Sequence, residues 1–407
     1  MERGNVKIEN PERFMGNHAI SQEKLDAAIK RATDKLRGKL EVYRYFFPQN
    51  NLNGKCFHIY QLGENNNWKS GMLTGCLVLA YDLTGEECFI ETAIAHLPSC
   101  RHRLDNRFRY EYEMNCHDVG FAFSPSCVAV YKRTGNEEAK ELALKAARHL
   151  YNVSYSEKGG FILRSALKAT IDQDACRTMM DTLINAPLLF WAGKEFDMPH
   201  YFEAAHSQNK ITRDYLIRED GSSYHHYNFD LDTHKPLNGV TFQGNRDEST
   251  WSRGHSWGIY GFPVAYGYTG DESLLKVQKD QVAFMLNHLP EDNVPYWDYD
   301  FVDGDEPRDT SASVISACGM LEAIKYMSPD DPLKEIYFNA ANMLVEAVID
   351  GYTGEYNQNG QLYDGLMWGC TGSRPHGLAI EGCGIYGDFF YLEALLRLKN
   401  PDYKHIW

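Results

Sequence analysis

Hydrophobic residues recur at steps of three and four along several segments of the chain, the spacing of the buried face of an amphipathic helix. Segments 25–43 and 137–151 show this spacing clearly, and segment 274–286 shows it less regularly. The tetrapeptide Ser21-Gln22-Glu23-Lys24, just before the first segment, is close to the pattern of a helix N-terminal cap. The spacing therefore predicts a helix in each of the three segments.

A turn motif recurs between helices: an aromatic residue at a helix end, a glycine as the C-terminal cap, and an acid in the first turn of the next helix. Segments 81–86, 131–137 and 266–272 carry it, and segments 191–195 and 326–331 carry looser versions. Successive starts lie 50, 60, 75 and 60 residues apart. Such spacing is typical of helical hairpins joined by loops of variable length.

With a last hairpin that closes at residues 389–398, the chain holds about six helical pairs, the number in an (α/α)6 barrel. We predict this all-α fold; an open solenoid is the alternative, but it would need capping repeats, which the sequence does not show. No Pro, Gly and Ser linker divides the chain, so we expect a single barrel domain over 1–407, with 1–20 as an N-terminal extension. Residues 224–230 alternate weakly and predict a hairpin beside the barrel mouth.

The charge balance narrows the choice of ligand. Among the 407 residues, 41 are Lys or Arg and 56 are Asp or Glu, so the formal net charge is −15. Nucleic acids and anionic membranes would be repelled, and we expect neither as a partner. An acidic ligand would need a local cluster of Arg, Lys and His.

The cysteines and the apolar runs bear on metal binding and location. The ten cysteines are scattered without a Cys-x-x-Cys pair, which argues against a structural zinc site. Unpaired thiols suit a reducing compartment, so we expect the cytoplasm. Residues 1–7 have no apolar segment behind their charges, and the richest apolar run, residues 186–192, is too short to span a bilayer.

The stretch from Gln243 to Trp257 combines side chains that form poor core material. Trp251 and Trp257 offer flat apolar faces to a sugar ring, and Arg253 offers a planar fork to a carboxylate. Such a mixture predicts a pocket for an acidic sugar. A core position is the alternative for Trp257, whose neighbours Ile259 and Phe262 we assign to the core.

Two aspartates are candidates for acid/base chemistry. Asp181 lies among Met, Leu and Ile, so it is either satisfied by Arg177 one turn earlier or kept for function. Burial would raise its pKa, as a general acid requires. Asp118, between His117 and an apolar helix start, has helix capping as the simpler alternative. Paired carboxylates in a sugar pocket indicate glycoside chemistry.

His225 and His226 are adjacent in a segment that we expect to be extended. Their side chains would therefore point to opposite faces, which makes a shared metal site improbable. We expect one of the two to face the pocket as a hydrogen-bond donor, and no metal is predicted.

The sequence resembles the unsaturated glucuronyl hydrolases, glycoside hydrolase family 88. Ordered matches run over most of the chain: Ile8-Glu9-Asn10-Pro11-Glu12-Arg13-Phe14, Trp68-Lys69-Ser70-Gly71-Met72-Leu73-Thr74-Gly75-Cys76, His117-Asp118-Val119-Gly120-Phe121, Met180-Asp181-Thr182-Leu183, Gln243-Gly244, Asp247-Glu248-Ser249-Thr250-Trp251-Ser252-Arg253-Gly254, Arg308-Asp309-Thr310-Ser311-Ala312 and Gly387-Asp388-Phe389-Phe390-Tyr391-Leu392-Glu393-Ala394. The resemblance implies an (α/α)6 barrel, in agreement with the hairpin count.

The resemblance also implies the roles of individual residues. Asp181 would be the general acid/base, and Asp118 the second essential acid, which contacts ring hydroxyls. Neither a metal nor an organic cofactor is implied. The residues at positions that line the pocket in the family are Trp68, His117, His225, Gln243, Trp251, Arg253 and Trp257.

The implied reaction is a hydration. Polysaccharide lyases leave a C4=C5 double bond in the uronic acid at the non-reducing end of a di- or oligosaccharide. The protein acid would protonate C4, water would add at C5, and the hemiketal would open and release the neighbouring sugar. The carboxylate spacing that separates retaining from inverting glycosidases does not apply to this reaction.

Two departures from the family concern the leaving sugar. Family members commonly have a tryptophan after Gly-Gly-Phe-Ile, but here Gly159-Gly160-Phe161-Ile162 is followed by Leu163-Arg164-Ser165-Ala166. Some members that act on sulfated glycosaminoglycan disaccharides carry Ser-x-x-Ser-x-Lys near the C-terminus, which is absent from residues 368–376 here. Ser373 and Arg374 remain candidates to meet a sulfate or a carboxylate.

Three alternatives stay open at this point. An unsaturated rhamnogalacturonyl hydrolase acting on pectin fragments would share the hydration chemistry and the aspartate pair. A non-catalytic carbohydrate-binding protein could share the scaffold, but the presence of both Asp118 and Asp181 argues against it. A sugar epimerase would use a histidine pair, for which His225 and His226 are a weak signal.

Overall fold

The computed structural model describes residues 3–49, 59–107, 109, 114–164 and 176–407. Their longer helices, in chain order, are α1 (Gln22–Arg37), α2 (Ser70–Thr84), α3 (Glu87–Ile94), α4 (Leu97–Asp105), α5 (Val119–Phe123), α6 (Ala129–Thr134), α7 (Glu137–Ser154), α8 (Thr182–Asn185), α9 (Pro187–Glu195), α10 (Pro199–Ile211), α11 (Ser252–Thr269), α12 (Glu272–Asn287), α13 (Thr310–Ala323), α14 (Pro332–Gly351) and α15 (Ile385–Lys399). Shorter turns of helix are Pro11–Phe14, Leu40–Tyr43 and Ile324–Tyr326, and π-helical turns are Ser124–Val128 and Thr212–Leu216.

These helices form two concentric layers. The inner layer is α2, α5 with α6, α8 with α9, α11, α13 and α15; each packs against the next, and α15 packs against α2 to close the ring. The outer layer is α1, α3 with α4, α7, α10, α12 and α14. The predicted (α/α)6 barrel is confirmed, and ring closure excludes the open solenoid.

Burial differs between the layers as their sequences require. Inner helix α13 is buried along its whole length, from Thr310 to Ala323, because it faces both the barrel axis and the outer layer. Outer helices α1 and α7 bury one stripe each and expose the other face. The segments at 137–151 and 274–286 correspond to α7 and α12, whereas the segment at 25–43 is divided into α1, which ends at Arg37, and the helical turn Leu40–Tyr43; α1, α7 and α12 are all in the outer layer.

The predicted caps and turns are present. The Ser21 side chain accepts a hydrogen bond from the Lys24 amide at 3.2 Å. Gly85, Gly135 and Gly270 end helices in the left-handed region, with φ of 73°, 67° and 66°. The looser motif at 191–195 is the exception, since α9 continues through it to Glu195.

In the described part of the chain, seven short strands form three small antiparallel sheets outside the helical layers: β1 (Phe47–Pro48) with β2 (Leu62–Gly63), β3 (Tyr155–Ser156) with β4 (Phe161–Ile162), and β5 (Arg177–Met179), β6 (His226–Phe229) and β7 (Pro236–Val240) in that order. The pairing of β6 with β7 confirms the hairpin predicted around 224–230. β5 pairs with the other edge of β6, with Met179 opposite His226, and so fixes the chain just ahead of Asp181.

The N-terminal residues lie against outer helix α12. The amides of Gly4 and Val6 donate to the two carboxylate oxygens of Asp280 at 2.8 and 2.9 Å. The Arg13 guanidinium donates to the carbonyl oxygen of Leu289 at 2.7 Å. Within the described ranges, no helix is long and apolar enough to cross a membrane.

Candidate active site

A cavity of about 430 Å³ opens where the inner helices begin. Residues just before α2, α5, α8 and α11, or in the first turn of α11 and α15, supply much of its wall. Helix N-termini carry partial positive charge, so this end of the barrel favours an anionic ligand. The cavity is lined by Gln49, Trp68, Lys69, Cys116, His117, Asp118, Phe121, Arg164, Met179, Asp181, His226, Phe242, Gln243, Trp251, Arg253, Gly372, Ser373, Leu378, Ala379, Cys383 and Tyr386.

Asp181 lies between β5 and α8 and reaches the cavity with a largely buried side chain, 14% exposed. Its Oδ2 atom is buried and has no hydrogen-bond partner in the described part of the chain. The nearest basic atom is Nε2 of His225, 3.8 Å away, and the structure shows no ion pair with Arg177 among the described residues. Of the two interpretations of this acid, the salt bridge to Arg177 is therefore not the one observed.

Burial raises the pKa of Asp181 to about 6. The positive charge of His117 opposes that rise, and the negative charge of Asp118 adds to it. A carboxyl group with this pKa is partly protonated near neutral pH, so it can donate a proton and take one back.

Asp118 has the opposite character. Its side chain does not cap α5 but lies 3.0 Å from Nε2 of His117 and accepts from the Cys116 thiol at 3.7 Å. Burial would raise its pKa, but the charge and hydrogen bond of His117 outweigh burial and hold it below the usual value. The cavity thus pairs an ionised carboxylate with a partly protonated one, an arrangement that divides acid and base roles.

His117 contacts Asp118 and the backbone of Arg164 through its two ring nitrogens. Its Nδ1 lies 3.2 Å from the carbonyl oxygen of Arg164, and its Nε2 faces Asp118. Both ring nitrogens therefore meet acceptors, which the imidazolium satisfies with two N–H donors. Burial lowers the pKa of His117, but Asp118 more than compensates, and the net pKa is raised.

The two adjacent histidines divide differently from the expectation. His226 lines the cavity, whereas His225 is 2% exposed and lies behind Asp181. Nδ1 of His225 accepts from the amides of Phe242 and Gln243, each at 3.3 Å, so its proton is on Nε2, toward Asp181. His225 thus lies beside Asp181, 3.8 Å from its Oδ2 atom and beyond hydrogen-bond distance, rather than in the cavity wall.

Arg253 is the best-anchored cation of the site. Its guanidinium donates to Asp309 at 2.7 Å, to the Thr371 carbonyl at 2.6 Å and to the Gly372 carbonyl at 2.7 Å. It lies between the rings of Trp251 and Tyr386, 4.5 and 4.8 Å from their centroids. Three of its five N–H donors are used in these bonds, so two remain for a ligand.

Gln243, Trp68 and Ser373 also reach the cavity. The Gln243 amide donates to the same Gly372 carbonyl at 2.7 Å. The Trp68 ring stacks with Tyr386 at 5.6 Å between centroids, and the Ser373 hydroxyl is 2.7 Å from Nδ1 of His376. The aromatic wall suits the apolar face of a sugar ring.

Besides His225, two more of the predicted pocket residues lie elsewhere. Trp257 is 1% exposed, does not line the cavity, and packs against the rings of Phe121 and Phe390 at 5.4 and 5.5 Å. The alternative of a core position for Trp257 is the one that the structure shows. Arg374 is half exposed and faces Glu306 at 3.4 Å, away from the cavity wall.

The cavity and support residues that were not singled out from the sequence include Lys69, Arg164, Asp309 and Tyr386. Lys69 and Asp309 fall inside the family motifs, which is the signal that could have found them. Arg164 follows the Gly-Gly-Phe-Ile segment at which the sequence departs from the family; Ser165 and Ala166 lie outside the described residues.

Cys116, His117 and Asp118 bring one ligand atom each within 4.8 Å of one another. Burial keeps the pKa of the Cys116 thiol well above its usual value, whereas a metal ligand must be a thiolate. His117 and Asp118 are already paired with each other. The group is therefore better described as a hydrogen-bonded cluster that sets the charge of Asp118.

The family model for Glycosyl Hydrolase Family 88 matches residues 47–372. The chain belongs to this family. The resemblance noted from the sequence motifs is thereby confirmed. Family 88 is a family of glycoside hydrolases, and the chain is an enzyme of that class.

Two relatives match over most of the chain. The unsaturated chondroitin disaccharide hydrolase of Streptococcus pneumoniae is 36% identical over 402 residues, 98% of each chain. The unsaturated glucuronyl hydrolase of Bacillus sp. GL1 is 37% identical over 344 residues, 84% of this chain and 88% of that one.

Solved structures agree with the barrel. The crystal structure of unsaturated glucuronyl hydrolase from Streptococcus agalactiae superimposes with a TM-score of 0.91 at 34% identity, over the whole of both chains. A mutant of that enzyme in complex with dGlcA-GalNAc6S gives a TM-score of 0.84 at 32% identity, again over the whole of both chains.

Proposed function

We propose that this chain removes the unsaturated glucuronic acid from the non-reducing end of disaccharides and short oligosaccharides made by polysaccharide lyases. Membership of family 88 supports the hydrolase class. The relatives named as unsaturated chondroitin disaccharide hydrolase support glycosaminoglycan fragments as the substrate class. The observation that carries the proposal is Asp181, a protonatable carboxyl group inside an aromatic, cationic cavity, with one oxygen that has no hydrogen-bond partner among the described residues.

The proposed reaction begins with a proton transfer. Asp181, in its acid form, donates its proton to C4 of the C4=C5 double bond. Positive charge then develops at C5 and the ring oxygen. The ionised Asp118 carboxylate in the same cavity stabilises this charge electrostatically. The raised pKa of Asp181 keeps a fraction of the acid form available near neutral pH.

Water completes the addition. The Asp181 carboxylate takes a proton from water as the water oxygen bonds to C5, so the residue returns to its acid form. The product is a hemiketal, whose ring opens with release of the neighbouring sugar. One water is consumed, no electrons are transferred to the protein, and the glycosidic bond is lost without attack at the anomeric carbon.

The substrate carboxylate needs a cation beside Asp181. Arg253 is close enough for its charge to lower the pKa of Asp181, and it keeps two N–H donors after binding Asp309, Thr371 and Gly372. A guanidinium matches a carboxylate as a planar fork. We therefore assign the binding of the uronate carboxylate to Arg253, and the stacking of the uronate ring to Trp251 and Trp68.

The proposal is tested with a panel of unsaturated disaccharides from chondroitin, hyaluronan and heparin, sulfated and unsulfated, with a pectin-derived galacturonyl-rhamnose disaccharide as a further arm. Hydration removes the ultraviolet absorbance of the C4=C5 uronate. Loss of absorbance with a glycosaminoglycan disaccharide is the expected result. Persistence with all of these, by folded protein, would overturn the proposal, and turnover of the pectin disaccharide alone would reassign the substrate.

We also propose a cytoplasmic location. The cysteines in the described part of the chain are all unpaired, and most are buried, as expected for a protein kept in a reducing compartment. Cell fractionation with an antibody to the chain tests this assignment. Recovery of the protein with the secreted fraction would contradict it.

A further inference from the structure

Asp309 is a buried carboxylate that lies behind the cavity wall and contacts one of the residues that form it. Its Oδ2 atom accepts a hydrogen bond from Nη1 of Arg253 at 2.7 Å. The ion pair is buried on both sides, since the side chain of Asp309 is fully buried and that of Arg253 is 4% exposed. A charge-assisted bond between two buried groups restrains both of them more than an exposed ion pair does. Asp309 therefore bears on what Arg253 can present to a ligand.

The hydrogen bonds of Arg253 determine which edge of its guanidinium is left for a ligand. Nη1 donates both of its hydrogens, one to Asp309 and one to the Thr371 carbonyl oxygen, and Nη2 donates one hydrogen to the Gly372 carbonyl oxygen. The donors that remain are the Nε–H and the second N–H of Nη2. These two bonds are parallel and lie on one edge of the planar group, so together they match the two oxygens of a carboxylate.

Asp309 differs in kind from the other groups that hold Arg253. The rings of Trp251 and Tyr386 stack on the guanidinium, which fixes its plane but leaves its orientation within that plane open. The two carbonyl oxygens belong to consecutive residues of one loop, 371–372, and are neutral acceptors. Asp309 is the charged acceptor in this set, and its bond to Nη1 is the strongest restraint on the orientation within the plane.

The other oxygen of Asp309 anchors the residue to helix α13. Asp309 is the N-cap of that helix, and its Oδ1 atom accepts from the Ser311 amide at 3.2 Å and from the Ser311 hydroxyl. Helix α13 is buried along its whole length and packs against α11, whose first turn carries Arg253. The two oxygens thus have separate tasks, one in the helix cap and one at the guanidinium, and a substitution can remove either task alone.

We propose that Asp309 is a positioning residue for the hydration, which holds Nη1 of Arg253 so that the Nε and Nη2 edge meets the uronate carboxylate. The inference rests on the proposed function and deepens it. Asp309 acts through Arg253 and does not itself touch the substrate. The uronate carboxylate is attached to C5, so a guanidinium that binds both of its oxygens also fixes the C4=C5 double bond relative to Asp181.

The first test compares kcat/KM of Asp309→Ser and Ser311→Ala on an unsulfated unsaturated disaccharide. Serine keeps an oxygen that can cap α13 but is too short to reach Arg253, so kcat/KM should fall by about tenfold or more, the cost of a misplaced binding group. Ser311→Ala is the matched control, because it removes a bond at Oδ1 and leaves the contact of Oδ2 with Arg253. Its kcat/KM should stay within about twofold of wild type, with rates divided by the folded fraction from circular dichroism.

A readout specific to the carboxylate separates positioning from a loss of stability. Calorimetry in the Asp181→Asn background compares the affinity for the disaccharide with that for its uronate methyl ester, which lacks the pair of anionic oxygens. The ratio of the two affinities is independent of the folded fraction. We expect Asp309→Ser to lower this ratio by about tenfold and Ser311→Ala to leave it unchanged.

Asp309→Asn carries the same comparison if the serine variant does not fold. Asparagine has nearly the size of aspartate, but its single carbonyl oxygen cannot serve both the Ser311 amide and Arg253. This variant should also lower the ratio of the two affinities.

Two outcomes overturn the inference while leaving the proposed function intact. A ratio of affinities that keeps its original value or rises in the Asp309 variants would show that Asp309 only neutralises the charge of Arg253. Equal losses of kcat/KM in Asp309→Ser and Ser311→Ala would assign both residues to the stability of α13 instead. Failure of the proposed function is distinct, since wild-type protein would then leave the absorbance of every disaccharide unchanged.

Discussion

Two aspartates near the starts of inner helices share the same pKa and differ in their surroundings. Asp181 precedes α8, and Asp388 lies in the first turn of α15. Burial raises the pKa of each to about 6. Asp388 accepts hydrogen bonds from the Tyr60 hydroxyl at 2.8 Å and from the amides of Leu366 and Met367 at 2.7 and 3.3 Å. The Oδ2 atom of Asp181 has no such partner among the described residues.

In these two residues a raised pKa marks burial and does not by itself mark function. The carboxylate of Asp388 ties the 366–367 backbone and Tyr60 to an inner helix, so its oxygens are committed to the fold. Asp181 has one oxygen without a hydrogen-bond partner in the part of the chain that the structure describes, and it faces a cavity that can hold a sugar. The free oxygen in the cavity, combined with the pKa, is what makes Asp181 the acid/base candidate.

The largest expected effect is a difference in kcat between variants of Asp181 and Asp388. Asp181→Asn removes the transferable proton, so kcat should fall by about 10³-fold or more, near the upper range for a general acid/base residue. Asp388→Asn should keep kcat within a few-fold of wild type, because that residue does not line the cavity. The loss of uronate absorbance with an unsulfated disaccharide measures both.

Circular dichroism and thermal melting serve as the folding control for that pair. Asparagine has nearly the size of aspartate, and the fold should be retained in Asp181→Asn. Near-normal turnover by this variant, or a loss in Asp388→Asn as large as in Asp181→Asn at equal folded fraction, would contradict the assignment.

A smaller effect, on stability, is expected at the partner of Asp388. Tyr60→Phe leaves the Oδ2 atom of Asp388 without its hydroxyl donor, so the free energy of unfolding should fall by about 1–3 kcal/mol. Chemical denaturation measures this change, with Tyr45→Phe, an exposed tyrosine, as the control. A stability equal to that of wild type would show that the bond to Asp388 is not structural.

The smallest expected effect is a displaced pH profile. His117 is the main charge that opposes the raised pKa of Asp181. His117→Gln removes that charge, so the pKa of Asp181 should rise and the acid form should persist to higher pH. The alkaline inflection of kcat/KM should then move upward, whatever the absolute activity. An inflection that moves downward or stays in place would contradict the electrostatic role of His117.

The fold could be predicted from the sequence because its outer helices are amphipathic and its turns have strong signals. The segments at α1 and α7 carry a clear apolar stripe, and Gly85, Gly135 and Gly270 mark the helix ends. Inner helices such as α13 are buried all round, so they show no periodicity and were inferred only from the spacing of the turns. At residues 191–195 the glycine lies inside α9, and the turn signal there was wrong.

The site was predictable where motif and geometry coincide, and less so where tertiary contacts orient a side chain. Asp181, Asp118 and Arg253 lie in the cavity as expected. His225 was predicted to line the cavity, but His226 does so instead. The amides of 242–243 donate to the imidazole of His225 and hold it outside the cavity wall. Nothing in the local sequence specifies that contact.

The surroundings of Trp257 and Lys69 could not be predicted from the local sequence either. On α11, Arg253 and Trp257 share a face, but Trp257 lies one turn deeper, where Phe121 and Phe390 enclose it. Lys69 looks like a solvent-exposed residue in the sequence, and only the assembled barrel shows that it forms part of the cavity wall.

The most direct test of the account is the pH dependence of kcat/KM for an unsulfated disaccharide, measured side by side for wild type and Asp388→Asn. Asp181 must be protonated to act, and its acid form is lost as pH rises through about 6. We predict that kcat/KM declines above that pH, by about tenfold per unit, identically in both proteins. A wild-type profile without this decline, or one that Asp388→Asn abolishes, would contradict the assignment of the reaction to Asp181.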